Sequence, residues 1–206
     1  MANTLKSERL VYRAIEDNDD SFLLRFHQDP ETFVNYTPFL PSPQGAKMAA
    51  WDRENYASCM LAAIVCIPPS AEAKESTPIG VVSMKDPNPP FGRHTRLAKF
   101  GIMILRDYQG QGYGTEAVKW ALDWGFKHAA LHKISTMVYE HNPPSIKMCE
   151  KLGFKLDGRL RHETFYDGRF WDDLIYSMLE HEWRDKYCAA ANGVHDVNGH
   201  HEKPLC

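Results

Sequence analysis

Apolar and polar positions alternate through residues 9–15, RLVYRAI, the period of a strand with one buried face. The period then changes. In EDNDDSFLLRFHQDPETFVNY an apolar stripe through Phe22, Leu23 and Phe26 follows capping Asp and Asn residues and stops at Asp29-Pro30, which predicts two short helices. Prolines in PFLPSPQG remove backbone donors and predict a loop. Residues 46–60 predict a third helix with Met48, Trp51 and Tyr56 on or near one face. Short apolar runs then take over. Residues 61–67, 79–86, 96–107 and 132–140 read as strands, the first two separated by a polar insertion and the last two by a helix ending near residue 130. In NPPSIKMCEKLGF a short helix is predicted. Asn142 precedes it, Pro143 and Pro144 fit its first turn, and Gly153 ends it. Two closing strands, KLDGRLRHETFY and RFWDDLIYSML, meet at a DGR turn suited to a hairpin. The order β-α-α-α-β-β-β-α-β-α-β-β is a mixed α/β arrangement in one domain, residues 1–187, and residues 188–206 lack apolar periodicity and predict a disordered tail.

Composition narrows the function classes. A formal net charge of -3 over 206 residues argues against a general nucleic-acid or membrane-surface binder, which would cluster Lys and Arg against phosphates. No run approaches the roughly 18 apolar residues that a bilayer span needs. Five cysteines without a CxxC pair argue against a disulfide framework or zinc site and for a reducing, cytoplasmic or nucleocytoplasmic address. His195, His200 and His201 lie scattered in the polar tail and are read as solvated, with no metal assigned.

The strongest chemical signal is LRDYQGQGYGTEAVKWALDWGF, in which three glycines alternate with Gln111 and Tyr113 directly before an amphipathic helix. The first N–H groups of a helix have no intrahelical partner and carry partial positive charge. Glycine lets a ligand approach that backbone, and the natural guest is a phosphate or pyrophosphate. Gln109, Gly110, Gln111, Gly112, Tyr113, Gly114 and the following Thr115 therefore form a candidate pyrophosphate cradle. A dinucleotide fingerprint needs GxGxxG with an acid about 20 residues on, and a Walker A loop needs GK[ST]; neither pattern is met.

QGQGYG resembles the [QR]xxGx[GA] loop with which GCN5-related N-acetyltransferases hold acetyl-CoA. HNPPSIKMCEKLGF is similar to a second segment of that family, through Asn142, Ser145, Ile146, Glu150, Lys151, Gly153 and Phe154. DGRFWDD and SERLVYRAIEDND resemble the Rim-like and spermidine acetyltransferase branch, and the likeness spans residues 7–183. It implies a central, mostly antiparallel twisted sheet, flanked by helices, in which two parallel strands splay apart to admit pantetheine. Backbone groups of Met103, Ile104 and Leu105 would then meet pantetheine, and Asn142 would stand beside it or simply cap its helix. The implied activity is transfer of acetyl from acetyl-CoA, with no metal, to a primary amine: a protein N-terminus, a polyamine or a small molecule. A monomer or homodimer is expected, with neither nucleic acid nor membrane as partner.

Acetyl transfer needs a deprotonated amine, a polarised thioester carbonyl and a stabilised leaving thiolate. The family often supplies a Tyr to the thiolate; Cys149 stands at that position, as a proton donor, an inert core thiol or a nucleophile. Many relatives carry a Glu where this chain has Lys99, so the base is sought among Glu140, His141, His162 and Glu163. Glu163, Tyr166 and Trp171 are candidates for the acceptor pocket. The two departures, at Lys99 and Cys149, keep a second reading open: an acyl-CoA-binding sensor of the same fold with little or no turnover.

Overall fold

The computed structural model describes residues 5–37, 39–71, 73–87, 89 and 94–188. The tail expected to be disordered, with its three histidines, lies outside the described residues except for Cys188. In chain order the elements are β1 (Val11–Arg13), α1 (Asp20–Gln28), α2 (Pro30–Val34), α3 (Ala46–Ala57), β2 (Leu61–Ile67), β3 (Thr77–Lys85), β4 (Leu97–Ile104), α4 (Tyr113–Asp123), β5 (Lys133–Tyr139), α5 (Pro143–Leu152), β6 (Lys155–Tyr166), β7 (Arg169–Leu179) and α6 (Glu180–Tyr187). A π-helical turn, Trp124–His128, continues α4.

Seven strands form one sheet in the order β1-β2-β3-β4-β5-β7-β6. Every neighbouring pair is antiparallel except β4 and β5. That parallel pair is registered only at Leu97↔Lys133, Ala98↔Ile134 and Lys99↔Ser135. Beyond those residues β4 runs on to Ile104 and β5 to Tyr139 without pairing, so a notch opens between them. The outer edges stay closed: β3 covers β4 as far as Ile104, and β7 covers β5 as far as Tyr139.

Two apolar layers hold the helices. Ala117, Val118, Ala121 and Leu122 of α4, with Cys149 and Leu152 of α5, pack on Phe100, Ile104, Ile134 and Val138. Phe22, Leu23 and Phe26 of α1, with Ala49 and Tyr56 of α3, pack on Ile64, Val81 and Met103 of the opposite face. Burying side chains of this size is worth about 1.5–3 kcal/mol each, which fixes both helix layers over the notch. The inner face of α3 differs from expectation. Its buried residues are Ala49, Asp52 and Tyr56, while Trp51 is 47% exposed. Asp52 is tolerated inside because His27 Nε2 lies 2.5 Å from its Oδ2. The sequence reading also omits α6, whose one buried residue is Trp183; its indole N–H donates to Asp123 at 3.0 Å. The β6–β7 hairpin turns through Asp167 and Gly168 at φ +50° and +77°, the positive pair that a two-residue turn with the strands' own twist requires.

Candidate active site

The glycine loop leaves β4 through a 3-10 turn at Arg106–Tyr108 and enters α4 with Gly112 as N-cap. Gly110 and Gly112 sit at φ +72° and +85°, where an L side chain is strained. The first helical N–H returned to the backbone is that of Glu116, on the Gly112 carbonyl at 3.0 Å. Those of residues 110–115 find no acceptor among the described residues, and Gly110, Gly112, Tyr113, Gly114 and Thr115 line one cavity, a cradle of partial positive charge. The Gln109 N–H falls outside this set, because it donates to Arg106 O. Its side-chain amide instead donates to Ile104 O at 2.8 Å, and that of Gln111 donates to Asp107 O at 2.9 Å. The two glutamines brace the loop from within.

An N-terminal strap, missed in the sequence, fastens the loop from outside. Arg9 Nη1 donates to Gln111 O, and its guanidinium lies 4.6 Å from the Tyr113 ring centroid. Ser7 Oγ, Arg9 N and Arg9 Nε all donate to the Glu116 carboxylate at 2.6–2.8 Å. Burial works to raise the Glu116 carboxyl, but the bonds from Ser7 and Arg9 outweigh it and hold the group below its ordinary 4.5. A depressed acid stabilises the fold above its unfolded pKa and loses that contribution as pH falls through the folded one. Glu116→Gln is therefore expected to cost about 1–2 kcal/mol near neutrality. In melting curves against pH the gap from wild type should close below about pH 4. A gap that persists there would contradict the strap.

Two cavities meet at the notch. The larger, about 470 Å³, runs from the glycine loop along Ile102, Met103 and Ile104 to Asn142, Met148 and Lys151. The second, about 350 Å³, opens onto the α1/α3 side between Tyr36, Tyr56, Lys99, Tyr139 and Cys149. The β4 backbone has a direction here. The Leu105 N–H donates to Ile79 O at 2.8 Å, towards β3. Alternate residues of an antiparallel strand face the same neighbour, so Met103 also turns its backbone to β3 while Ile102 and Ile104 turn theirs to the notch. This corrects the expectation for Met103, whose backbone faces β3, and for Leu105, whose N–H goes to β3 and whose carbonyl accepts the Tyr108 N–H; both side chains belong to the α1/α3 core.

The remaining candidates separate. Asn142 lines both cavities, and its Oδ1 also accepts the Ser145 N–H at 3.3 Å, so capping and lining coexist. Glu140 is tied off: Oε1 takes Arg159 at 2.7 Å and Oε2 the Asp172 N–H at 3.3 Å. Glu163 and His162 lie in an irregular part of β6 that lines a separate surface hollow, away from the notch. Cys149 is fully buried, and burial pushes its thiol up to about 12, with the Glu150 charge acting in the same sense. It is a neutral thiol near pH 7.

His141 lines the larger cavity. Its ring stacks on Tyr139, centroids 5.2 Å apart, and touches Tyr166 at 4.6 Å and Trp171 at 5.5 Å. Tyr166 and Trp171 thus contact this ring rather than the two cavities. Nε2 lies 3.2 Å from Val34 O, and since a carbonyl only accepts, Nε2 carries the proton and Nδ1 the lone pair. Nδ1 is buried and has no partner among the described residues. Tyr36 and Tyr56 wall the smaller cavity in front of the buried His27–Asp52 pair. Among the described residues no group of three or more His, Cys, Asp or Glu is placed to hold a metal, and no helix is long and apolar enough to cross a membrane.

Comparison with known proteins agrees with this arrangement. The acetyltransferase (GNAT) domain family matches residues 9–155. The chain is 30% identical to the uncharacterized N-acetyltransferase p20 of Bacillus licheniformis over 87% of its own length and 98% of that protein. It is 36% identical to the spermidine N(1)-acetyltransferase of Escherichia coli K12, over 43% of its own length and 47% of the other's. Its fold superposes on the spermidine N-acetyltransferase of Vibrio cholerae solved with CoA and spermine, with TM-score 0.69 and 24% identity, over 86% of this chain and 99% of that one. The chain belongs to the GNAT acetyltransferase family.

Proposed function

We propose that this protein transfers acetyl from acetyl-CoA to a primary amine by direct attack within a ternary complex. One observation carries the reading: the glycine-loop cradle opens into a notch that passes between β4 and β5 to a second cavity. The cradle takes the pyrophosphate, and the notch-facing backbone of Ile102 and the N–H of Ile104 pair with pantetheine, the Ile104 carbonyl being engaged by Gln109. The thioester then arrives between the cavities. The amine comes from the α1/α3 side.

The amine enters neutral, and His141 Nδ1 takes the one proton that its nitrogen sheds on attack. The amine nitrogen bonds to the thioester carbon, the C–S bond breaks, and the thiolate leaves with its electron pair. Val34 O holds the His141 ring through Nε2. Cys149 offers the thiolate a hydrogen bond from its neutral S–H. It does not serve as nucleophile, because thiolate rather than thiol attacks and burial keeps this group protonated. Initial-rate kinetics with both substrates varied should give intersecting lines, and Cys149→Ala should keep turnover within about tenfold of wild type. Parallel lines, or an acetylated Cys149 in the mass spectrum, would replace direct attack by a two-step transfer.

A further inference from the structure

The acceptor-side cavity carries positive charge and no negative charge. No Asp or Glu is among its described lining residues; the charged side chain on its wall is Lys99. Lys99 is exposed, and its cross-strand partner is Lys85. Lys85 Nζ donates to Asn55 Oδ1 at 3.0 Å, and Asn55 lines the same cavity. Two lysines therefore occupy directly opposed positions of β3 and β4, on the sheet face that α3 covers. The ion-paired lysines among the described residues are Lys127, Lys133 and Lys155, and neither of these two is among them. Like charges directly opposite one another destabilise a strand pair, so this arrangement works against the fold until an anion joins it. A polyamine would bring several positive charges to a wall that repels them.

We propose that Lys99, backed by Lys85, binds a carboxylate of the acceptor, and that the substrate class is an amine carrying a carboxylate at a short distance. This rests on the acetyl-transfer reading given above. The spacing follows from β4. Lys99 precedes Ile102, a notch-facing residue, by three positions, about 10 Å along a strand. An acceptor with a few bonds between amine and carboxylate suits that span once the flexible lysine side chain reaches towards it. A free amino acid and the N-terminus of an acidic peptide share this chemistry.

The test is CoA release from acetyl-CoA with glycine, glutamate, 4-aminobutyrate, 6-aminohexanoate, the dipeptide Asp-Ala, butylamine and spermidine. The best carboxylate-bearing amine should exceed butylamine and spermidine in kcat/KM by about tenfold or more, with an advantage that shrinks as salt rises. Whether Asp-Ala or a free amino acid leads separates the two sources. Lys99→Met should remove the advantage and Lys99→Glu should invert it towards spermidine. Lys99→Glu should also melt no lower than wild type, since it turns a like-charge pair into an opposite one; a lower Tm would overturn the premise of repulsion. Spermidine or butylamine as best substrate, or an unchanged ratio in Lys99→Glu, would overturn this assignment and leave acetyl transfer standing. No release with any amine, in a protein that binds acetyl-CoA by calorimetry, would overturn both readings.

Discussion

Replacing Gly112 by Glu abolishes acetyl-CoA binding while the protein stays folded. Three effects act together. Gly112 sits at φ +85°, and forcing an L residue into that region costs about 1–2 kcal/mol. A Cβ there would come within 3.3 Å of Arg9 Nη2, disturbing the strap that fastens the loop. The new carboxylate would occupy a field built for the cofactor's negative charge, next to the free N–H groups of residues 110–115. Gly112→Ala separates strain from charge and should weaken binding by about tenfold, as 1.4 kcal/mol does. Titration calorimetry with acetyl-CoA reads both variants, and circular dichroism checks the fold. Unchanged affinity in Gly112→Glu would remove the cradle from the account.

Truncating His141 to Ala lowers kcat by about 10²-fold or more, the range that a positioned general base contributes. Affinity for acetyl-CoA should stay close to wild type, because the cradle and the notch-facing backbone are untouched. The variant's rate should climb with pH as the amine loses its own proton, and added imidazole should restore part of the rate. Tyr139, Tyr166 and Trp171 pack around the ring, so His141→Gln, which keeps more of the volume, is the companion variant. A full rate in both would pass the base role to another group. A loss that imidazole and pH both fail to repair would mark the ring as a packing element.

Where local chemistry decides local structure, the sequence is legible. The glycine loop, the proline-started helix after Asn142 and the DG hairpin each follow from backbone restrictions of a few residues, and all three occur where the residues place them. Short-range patterning works less well where a partner lies far along the chain. Asp52 is inside α3 only because His27, 25 residues away, meets it. Arg9 and Glu116 are 107 residues apart and look like unrelated surface charges until the strap is seen. Glu140 and His141 are adjacent in sequence and equally plausible as bases, yet Arg159 and Asp172 engage one while Val34 orients the other. The helix α6 is short and charged, and only Trp183 betrays its inner face. The notch itself is a property of strand order, which no single segment records.

Relatives named for spermidine and a second cavity with Lys99 on its wall make opposite suggestions about the amine. The glycine loop, the notch and His141 do not depend on which is right. The most direct test of acetyl transfer therefore uses a broad set of primary amines, neutral, anionic and polycationic, and measures free CoA and N-acetylated product together. The account predicts CoA release that depends on the amine and matches the acetylated product one for one. CoA release without amide product, or cofactor binding with no release from any amine, would contradict it and leave a protein that binds acyl-CoA without transferring it.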